Sequence, residues 1–437
     1  MIQEKSCTVP AVVRRSGMVA AIVMIGLLFS QAVPATQAPS QDGYDLLLKG
    51  GRILDPANGV DRIADLAIRD SRIAAIEDTI APERAKRVFD VTDLLVAPGL
   101  VDIHFHAYAG TRSGTTAGGI RSIFPDQFAP RSCTTTVVDP GTAGWREFEE
   151  FRRTVIDVAQ TRTLAMLNIS GMGILAYALE QNPEDLDPKL TAEMATKHSD
   201  VVVGIKSAHW WAPTFLSVQR AIEAGKAAAL PIMVDFGHFL PDRPYERMVA
   251  EILRPGDMST HFYRWPAPLL DERERPREYL VRARERGVKF DVGHGGGSFH
   301  YRNAEPMIRA GFYPDSISTD AHLGSMNAGM IDLPAVMSRI LVLGMPLSEV
   351  LRATTSNPAD QIKRPRLGRI GVGSEADLAV LSLRKGNFSY LDAIGGLVRG
   401  DQRLRCEMTL RAGRVVWDDN GISGTPWREA GLSYPAR

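Results

Sequence analysis

Through the middle of the chain, short apolar runs alternate with stretches of helical periodicity. Eight runs read as strands: LVDIHFH at 100–106, TTTVVD at 134–139, TLAMLNI at 163–169, VVVGIK at 201–206, PIMVDF at 231–236, MSTHF at 258–262, KFDVG at 289–293 and DSISTD at 315–320. Between several of them apolar residues recur at i, i+3 and i+4, as in WREFEEFRRTVIDVAQ, FLSVQRAIEAGKAAA, YERMVAEIL and PREYLVRARERG. Eight strands alternating with helices over residues 98–364 predict an α/β fold, a (β/α)8 TIM barrel with its reactive groups at the C-terminal strand ends. Both flanks differ from this middle. Residues 44–97 and 365–420 carry short alternating runs broken by Gly, Asp and Pro, the pattern of a small antiparallel sheet. The two flanks are expected to pair with each other as a small β-sandwich domain built from both chain ends, followed by a tail at 421–437.

The first 35 residues depart from both patterns. Lys5, Arg14 and Arg15 precede the nearly uncharged stretch Gly17–Ser30, and Val33 and Ala35 offer small residues for cleavage before Thr36. This reads as a signal peptide, its apolar core being shorter than the roughly 20 residues of a comfortable membrane span. A retained N-terminal anchor is the alternative. The mature protein is therefore expected to be exported, periplasmic or secreted, with no stable membrane anchor. Of three cysteines, Cys7 leaves with the leader, and Cys133 and Cys406, in separate apolar runs, read as buried thiols.

Composition narrows the function. Among 437 residues, 51 Lys and Arg balance 51 Asp and Glu, with 44% hydrophobic and 23% charged residues. That is globular composition, and without a basic run it argues against nucleic acid as a partner. The chemistry lies at the strand ends: His104 and His106, Asp139, Asn168, Lys206, Asp235, His261, Gly293 and Asp320. In a strand, residues i and i+2 share a face, so both imidazoles of His104-Phe105-His106 can project to one point. Imidazole suits zinc and its first-row neighbours. Lys206 ends an apolar run, where an ammonium is costly and would repel a metal; carbon dioxide addition would convert it to an anionic carbamate able to bridge two ions.

Taken in order, APGLVDIHFHA at 97–107, VGIKSA at 203–208, STHF at 259–262, STDAH at 318–322, SNPAD at 356–360 and GSEADLAVL at 373–381 resemble the amidohydrolase superfamily of metal-dependent hydrolases. CTTTVVDPGTAG, LNISGMG, DVGHGGGSF and STDAHLGSMNAGM look like its dihydroorotase-related deacetylase branch. The resemblance implies two divalent metal ions, zinc first, with manganese or iron as alternatives. Their ligands would be His104, His106, carboxylated Lys206 and His261, with Asp320 as ligand and general base. One position departs: where the family has a histidine at the end of strand five, this chain has Asp235, with His238 three residues later. Strand alternation favours Asp235 as the substituted ligand, and its added negative charge would favour harder ions.

The expected reaction is hydrolysis of an ester or amide bond of a small acylated acid by metal-activated hydroxide, with Asp320 relaying the proton. His294, in a glycine-rich loop, and His322 are candidates for binding a substrate carboxylate or the developing oxyanion. His198 and His209 receive no ligand role. Rivals are an exported N-acyl amino acid amidohydrolase or dipeptidase, a dihydroorotase-like cyclic-amide hydrolase, and a noncatalytic barrel. A homo-oligomer is left open.

Overall fold

A computed structural model describes residues 43–110, 122–175 and 177–431, so the expected leader lies outside the described residues. The chain opens with β1 (Leu46–Asp55), β2 (Val60–Arg69), β3 (Arg72–Glu77), β4 (Val88–Asp90) and β5 (Leu95–Pro98). Seven strands follow: β6 (Leu100–Asp102), β7 (Thr134–Gly144), β8 (Arg162–Asn168), β9 (Val202–Ser207), β10 (Ile232–Val234), β11 (Met258–Ser259) and β12 (Lys289–Phe290). The last three are β13 (Leu378–Leu391), β14 (Leu397–Arg411) and β15 (Arg414–Asp418).

The two flanks do pair. They form one eight-stranded sheet in the order β15-β14-β13-β5-β1-β2-β3, with β4 also on β1, and the join runs between β5 and β13 from Leu378↔Pro98 to Leu381↔Leu95. The sheet is mixed and not purely antiparallel. After the β1-β2-β3 meander the chain crosses back through the turn at Pro82–Arg84, so β4 and β5 re-enter parallel to β1. Leu48, Ile53, Leu66, Val96, Leu378, Val380 and Met408 form one core on this sheet.

Strands β6 to β12 form a second sheet, all parallel and in sequence order. Their near-continuous apolar character is what parallel strands covered on both faces require. Val101, Val138, Met166, Val203, Met233 and Met258 pack with one another as one of its cores. Residues 315–320, read as the eighth strand, have no regular ladder. Ser316 bridges Asp291 and Ala321 bridges Phe105, both parallel, so this segment touches the strand-seven and strand-one ends of the sheet. Toward strand seven its backbone still pairs, Val292 N donating to Ser316 O at 3.0 Å and His294 N to Ser318 O at 3.1 Å. Toward strand one, residues 353–354 intervene, Ile317 N donating to Ala353 O and Val101 N to Thr354 O, both at 2.8 Å. Expected helices appear at Leu216–Ala227 and Glu278–Glu285, while the pattern at 145–160 gives the short helix Phe148–Phe151 followed by a wider turn at Arg152–Ile156.

The reading of two separate thiols is corrected: Cys133 and Cys406 form a disulfide, with Cα atoms 5.4 Å apart across 273 positions of sequence. Packing creates the pair. β14 lies against the turn before β7, where Thr409 Oγ1 donates to Pro130 O at 2.6 Å. Nearby, Arg162 on β8 reaches Asp377 at 2.6 Å and Glu375 at 2.5 Å, again joining the parallel sheet to the end-built sheet. Closing so long a loop constrains the unfolded chain, so Cys133→Ala/Cys406→Ala is expected to lose about 2–4 kcal/mol of stability. Denaturant unfolding of the two proteins side by side measures it; coincident curves would remove the disulfide from the stability account.

Candidate metal centre

Past β6 the chain bends at Ile103 and then runs alongside its neighbours, Phe105 N donating to Val138 O at 3.1 Å and His106 N to Ala321 O at 2.9 Å. Phe105 turns into the core against Phe128, and the two histidines share the other face. Each imidazole is oriented from behind. His104 Nδ1 lies 3.0 Å from Thr260 Oγ1, whose own proton goes to Asp291 Oδ2 at 2.7 Å, so His104 is the donor in the first bond. His261 Nδ1 donates to the Gly293 carbonyl at 2.6 Å, and His106 Nδ1 pairs with Thr142 Oγ1 at 2.7 Å. With Nδ1 occupied, each ring is left with Nε2 for a ligand, the arrangement by which outer partners fix a metal-binding tautomer.

The Nε2 atoms face carboxylates. Asp320 Oδ1 is 3.1 Å from His106 Nε2 and 3.4 Å from His104 Nε2, and Asp235 Oδ2 is 3.4 Å from His261 Nε2. Lys206 is buried, and its Nζ has no hydrogen-bond partner. These side chains line a cavity of about 270 Å³. Burial works to raise the Asp320 carboxyl, but His104, His106 and His261 outweigh it and hold it well below the usual carboxylate range. Asp235 is held low in the same way, by His261 and His209 against burial. Burial, reinforced by Lys206, lowers His104 to about 3, and burial lowers Lys206 despite three neighbouring aspartates and Glu180.

The backbone is bent to make this. His209, His261 and Asp320 all take positive φ, at 50°, 55° and 52°, a conformation that is costly for side chains other than glycine and that clusters at functional sites. Gly295 allows the closest approach: a Cβ there would lie 2.5 Å from Asp320 Oδ2, at a φ of 58°. Gly295→Ala should therefore displace the Asp320 carboxylate and reduce hydrolysis by about 100-fold, the scale on which small misplacements act. Steady-state kinetics check this, and an alanine variant of wild-type rate would show that the approach is not needed.

The donor set fits divalent cations: imidazole nitrogens with fixed tautomers, ionised carboxylates, and one buried amine lacking any partner. His104, His261 and Asp320 alone bring ligand atoms within 4.8 Å of one another. A sequence model of the amidohydrolase family matches residues 297–416. A deacetylase of Brucella anthropi is 34% identical over 353 residues, spanning 78% of this chain and 84% of that protein. The chain belongs to the amidohydrolase superfamily. Among solved structures, a dihydroorotase matches at TM-score 0.75 and 30% identity, over 85% of this chain and 99% of its own. An adenine deaminase matches at TM-score 0.77 and 25% identity, over 86% and 100%. The protein is a hydrolase, and members of its superfamily generally work with divalent metals.

In this amidohydrolase the six residues read from the sequence as ligands, His104, His106, Lys206, Asp235, His261 and Asp320, all line the one cavity, as does His322. Asp235 is buried there, whereas His238 is exposed, its ring against Trp211. His294 is not among the lining residues: its ring stacks on Phe299, Nδ1 pairs with its neighbour's carbonyl, and buried Nε2 has no partner. Asp139 and Asn168 serve the scaffold, Asp139 accepting from the backbone N–H of Ala107 and Thr142 at 2.8 and 2.7 Å, and Asn168 bonding Gly141 and Ser170. His198 pairs with Glu149 and Arg152, away from the cavity. Two cavity-side groups escape the sequence reading. His209 lines the cavity, with Nε2 3.0 Å from Asp235 Oδ2, and Glu180 holds its Nδ1 at 2.8 Å. The available signal was its place three residues past Lys206, on the loop leaving a strand end.

Proposed function

We propose that this amidohydrolase is an exported, metal-dependent deacylase that cleaves an acetyl or similar acyl group from a small acid, through its ester or amide bond. The observation that carries the reading is the buried Lys206 amine without a hydrogen-bond partner, lining one small cavity with the histidine–aspartate groups, in a chain 34% identical to a deacetylase. A partnerless amine among ionised carboxylates is consistent with a carbamate, the form in which Lys206 would bridge two ions. Those ions, zinc first and manganese or iron as alternatives, would be held by His104, His106 and Asp320 on one side and by His261 and Asp235 on the other. Bound there, they supply Lewis acidity that activates water and polarises the acyl carbonyl.

The protein's own groups do the rest. Asp320 uses Oδ1 toward the imidazoles, leaving Oδ2, beside Gly295, to take a proton from the attacking water and pass it to the leaving group. His322, half-buried at the cavity wall, is placed to bind a substrate carboxylate or the developing oxyanion; the buried His294 takes that role only if its loop opens. The cavity, of about 270 Å³, is of a size that suits a small molecule.

The bridges of residues 316 and 321 to the two ends of the parallel sheet support a closed (β/α)8 ring, and the end-built sheet supports a small sandwich domain against it. The leader-like residues 1–35 and the disulfide suit an oxidising, exported setting. Among the described residues no helix is long and apolar enough to cross a membrane.

The test is a panel of O-acyl and N-acyl acids of both hands, with dihydroorotate and adenine as controls, assayed on metal-replete enzyme. Hydrolysis of acylated acids supports the proposal, ester preference favouring a deacetylase and amide preference an N-acyl amino acid amidohydrolase. Turnover confined to the cyclic controls would overturn it.

A further inference from the structure

The cavity contains two groups of like geometry. In one, His104 and His106 direct Nε2 at Asp320 Oδ1 from 3.4 and 3.1 Å. In the other, His261 and His209 direct Nε2 at Asp235 Oδ2 from 3.4 and 3.0 Å. All four rings have Nδ1 engaged behind them, by Thr260, Thr142, Gly293 O and Glu180 respectively. The partnerless Lys206 Nζ lines the same cavity. Ligand atoms about 2.0–2.1 Å from one tetrahedral ion lie about 3.3 Å apart, and the nitrogen-to-oxygen distances in both groups, 3.0–3.4 Å, are near that value. Among the described residues the ligand atoms mutually within 4.8 Å are those of His104, His261 and Asp320, so each imidazole pair would close further on a bound ion.

We propose that His209 is a ligand of the second metal ion, pairing with His261 and Asp235 as His104 and His106 pair with Asp320. The proposal rests on the two-ion reading above. His209 is a built feature: its backbone takes a φ of 50°, and Gly237, with a φ of 68°, lets the neighbouring chain pass so close that a Cβ there would lie 3.0 Å from His209 Cα. Glu180 is buried, its Oε1 3.4 Å from Asn168 Nδ2, and its Oε2 fixes the His209 ring as an outer carboxylate fixes a metal-bound imidazole. With His209 included, each ion receives two imidazoles and one carboxylate, and a carbamate on Lys206 would be shared. A simple counter-ion role, in which His209 only neutralises Glu180 and Asp235, is the competing reading, and the two differ in metal content.

The experiment is metal analysis of the purified, zinc-reconstituted protein after gel filtration, on wild type, His209→Gln, His209→Ala and the double variant His209→Ala/Asp235→His. Thermal unfolding of the metal-free forms checks the fold. Wild type should hold about two zinc ions per chain, and both single variants should bind the second ion about 100-fold or more weakly, leaving about one. Because Asp235 Oδ2 lies 3.0 Å from His209 Nε2, a histidine at 235 can return an imidazole to that point, so the double variant should regain the second ion. Single variants that keep two ions with unchanged affinity would overturn the role of His209 alone. A wild type that saturates at one ion would overturn the two-ion reading and this inference with it.

Discussion

Asp320→Asn should fold, keep its metal and lose hydrolytic turnover by about a thousandfold or more, within the range that a positioned general base contributes. The amide is nearly isosteric, and its oxygen can still face His104 and His106 from the Oδ1 position, 3.4 and 3.1 Å away in the wild type. What it cannot do is accept and return a proton. The three imidazoles around Asp320 hold its carboxyl well below the usual carboxylate range despite burial, so the side chain is present as the carboxylate that can accept a proton. The measurement is kcat at saturating metal, read beside metal content. Turnover within tenfold of wild type would move proton transfer to another group; turnover lost in proportion to metal would reduce Asp320 to a ligand.

Lys206→Met separates two accounts of the buried amine. If Lys206 were an ordinary scaffold residue, replacing it with an apolar side chain of similar length would leave binding and rate intact. If it becomes the bridging ligand, the variant should lose the metal pair and about 100-fold or more of its activity. The metal-free protein should not suffer. Nζ is buried without a partner, a state costing about 1–3 kcal/mol, so the apo variant is expected to unfold at the same temperature as apo wild type or higher. Thermal unfolding with and without zinc reads both effects, and a variant equally active and equally stabilised by zinc would rule out the bridging role.

Much of this arrangement was legible in the chain. Strand periodicity located the seven parallel strands, and the rule that barrel chemistry lies at strand ends picked out His104, His106, Lys206, Asp235, His261 and Asp320, all of which the fold brings to one cavity. Asp235 over His238 followed from strand alternation alone, and the structure buries the first and exposes the second. Other features were hidden because tertiary contacts create them. The eighth strand has no regular ladder to strand one because residues 353–354 take the bonds of Ile317 and Val101. Cys133 and Cys406 meet only because the end-built sheet packs on the turn before β7. His209 lies beyond a strand end, where periodicity says nothing about direction; its φ of 50° and the Glu180 behind it turn the ring toward Asp235. His294 shows the converse, a promising loop histidine that the fold stacks on Phe299.

The central claim is that this cavity hydrolyses an acylated acid by means of bound metal. It is tested most directly by stripping the enzyme with a chelator and titrating zinc back while following hydrolysis of an acetylated hydroxy or amino acid. The account predicts that activity disappears on stripping and returns with added zinc, reaching its plateau near two ions per chain. Undiminished hydrolysis by the metal-free protein would contradict it.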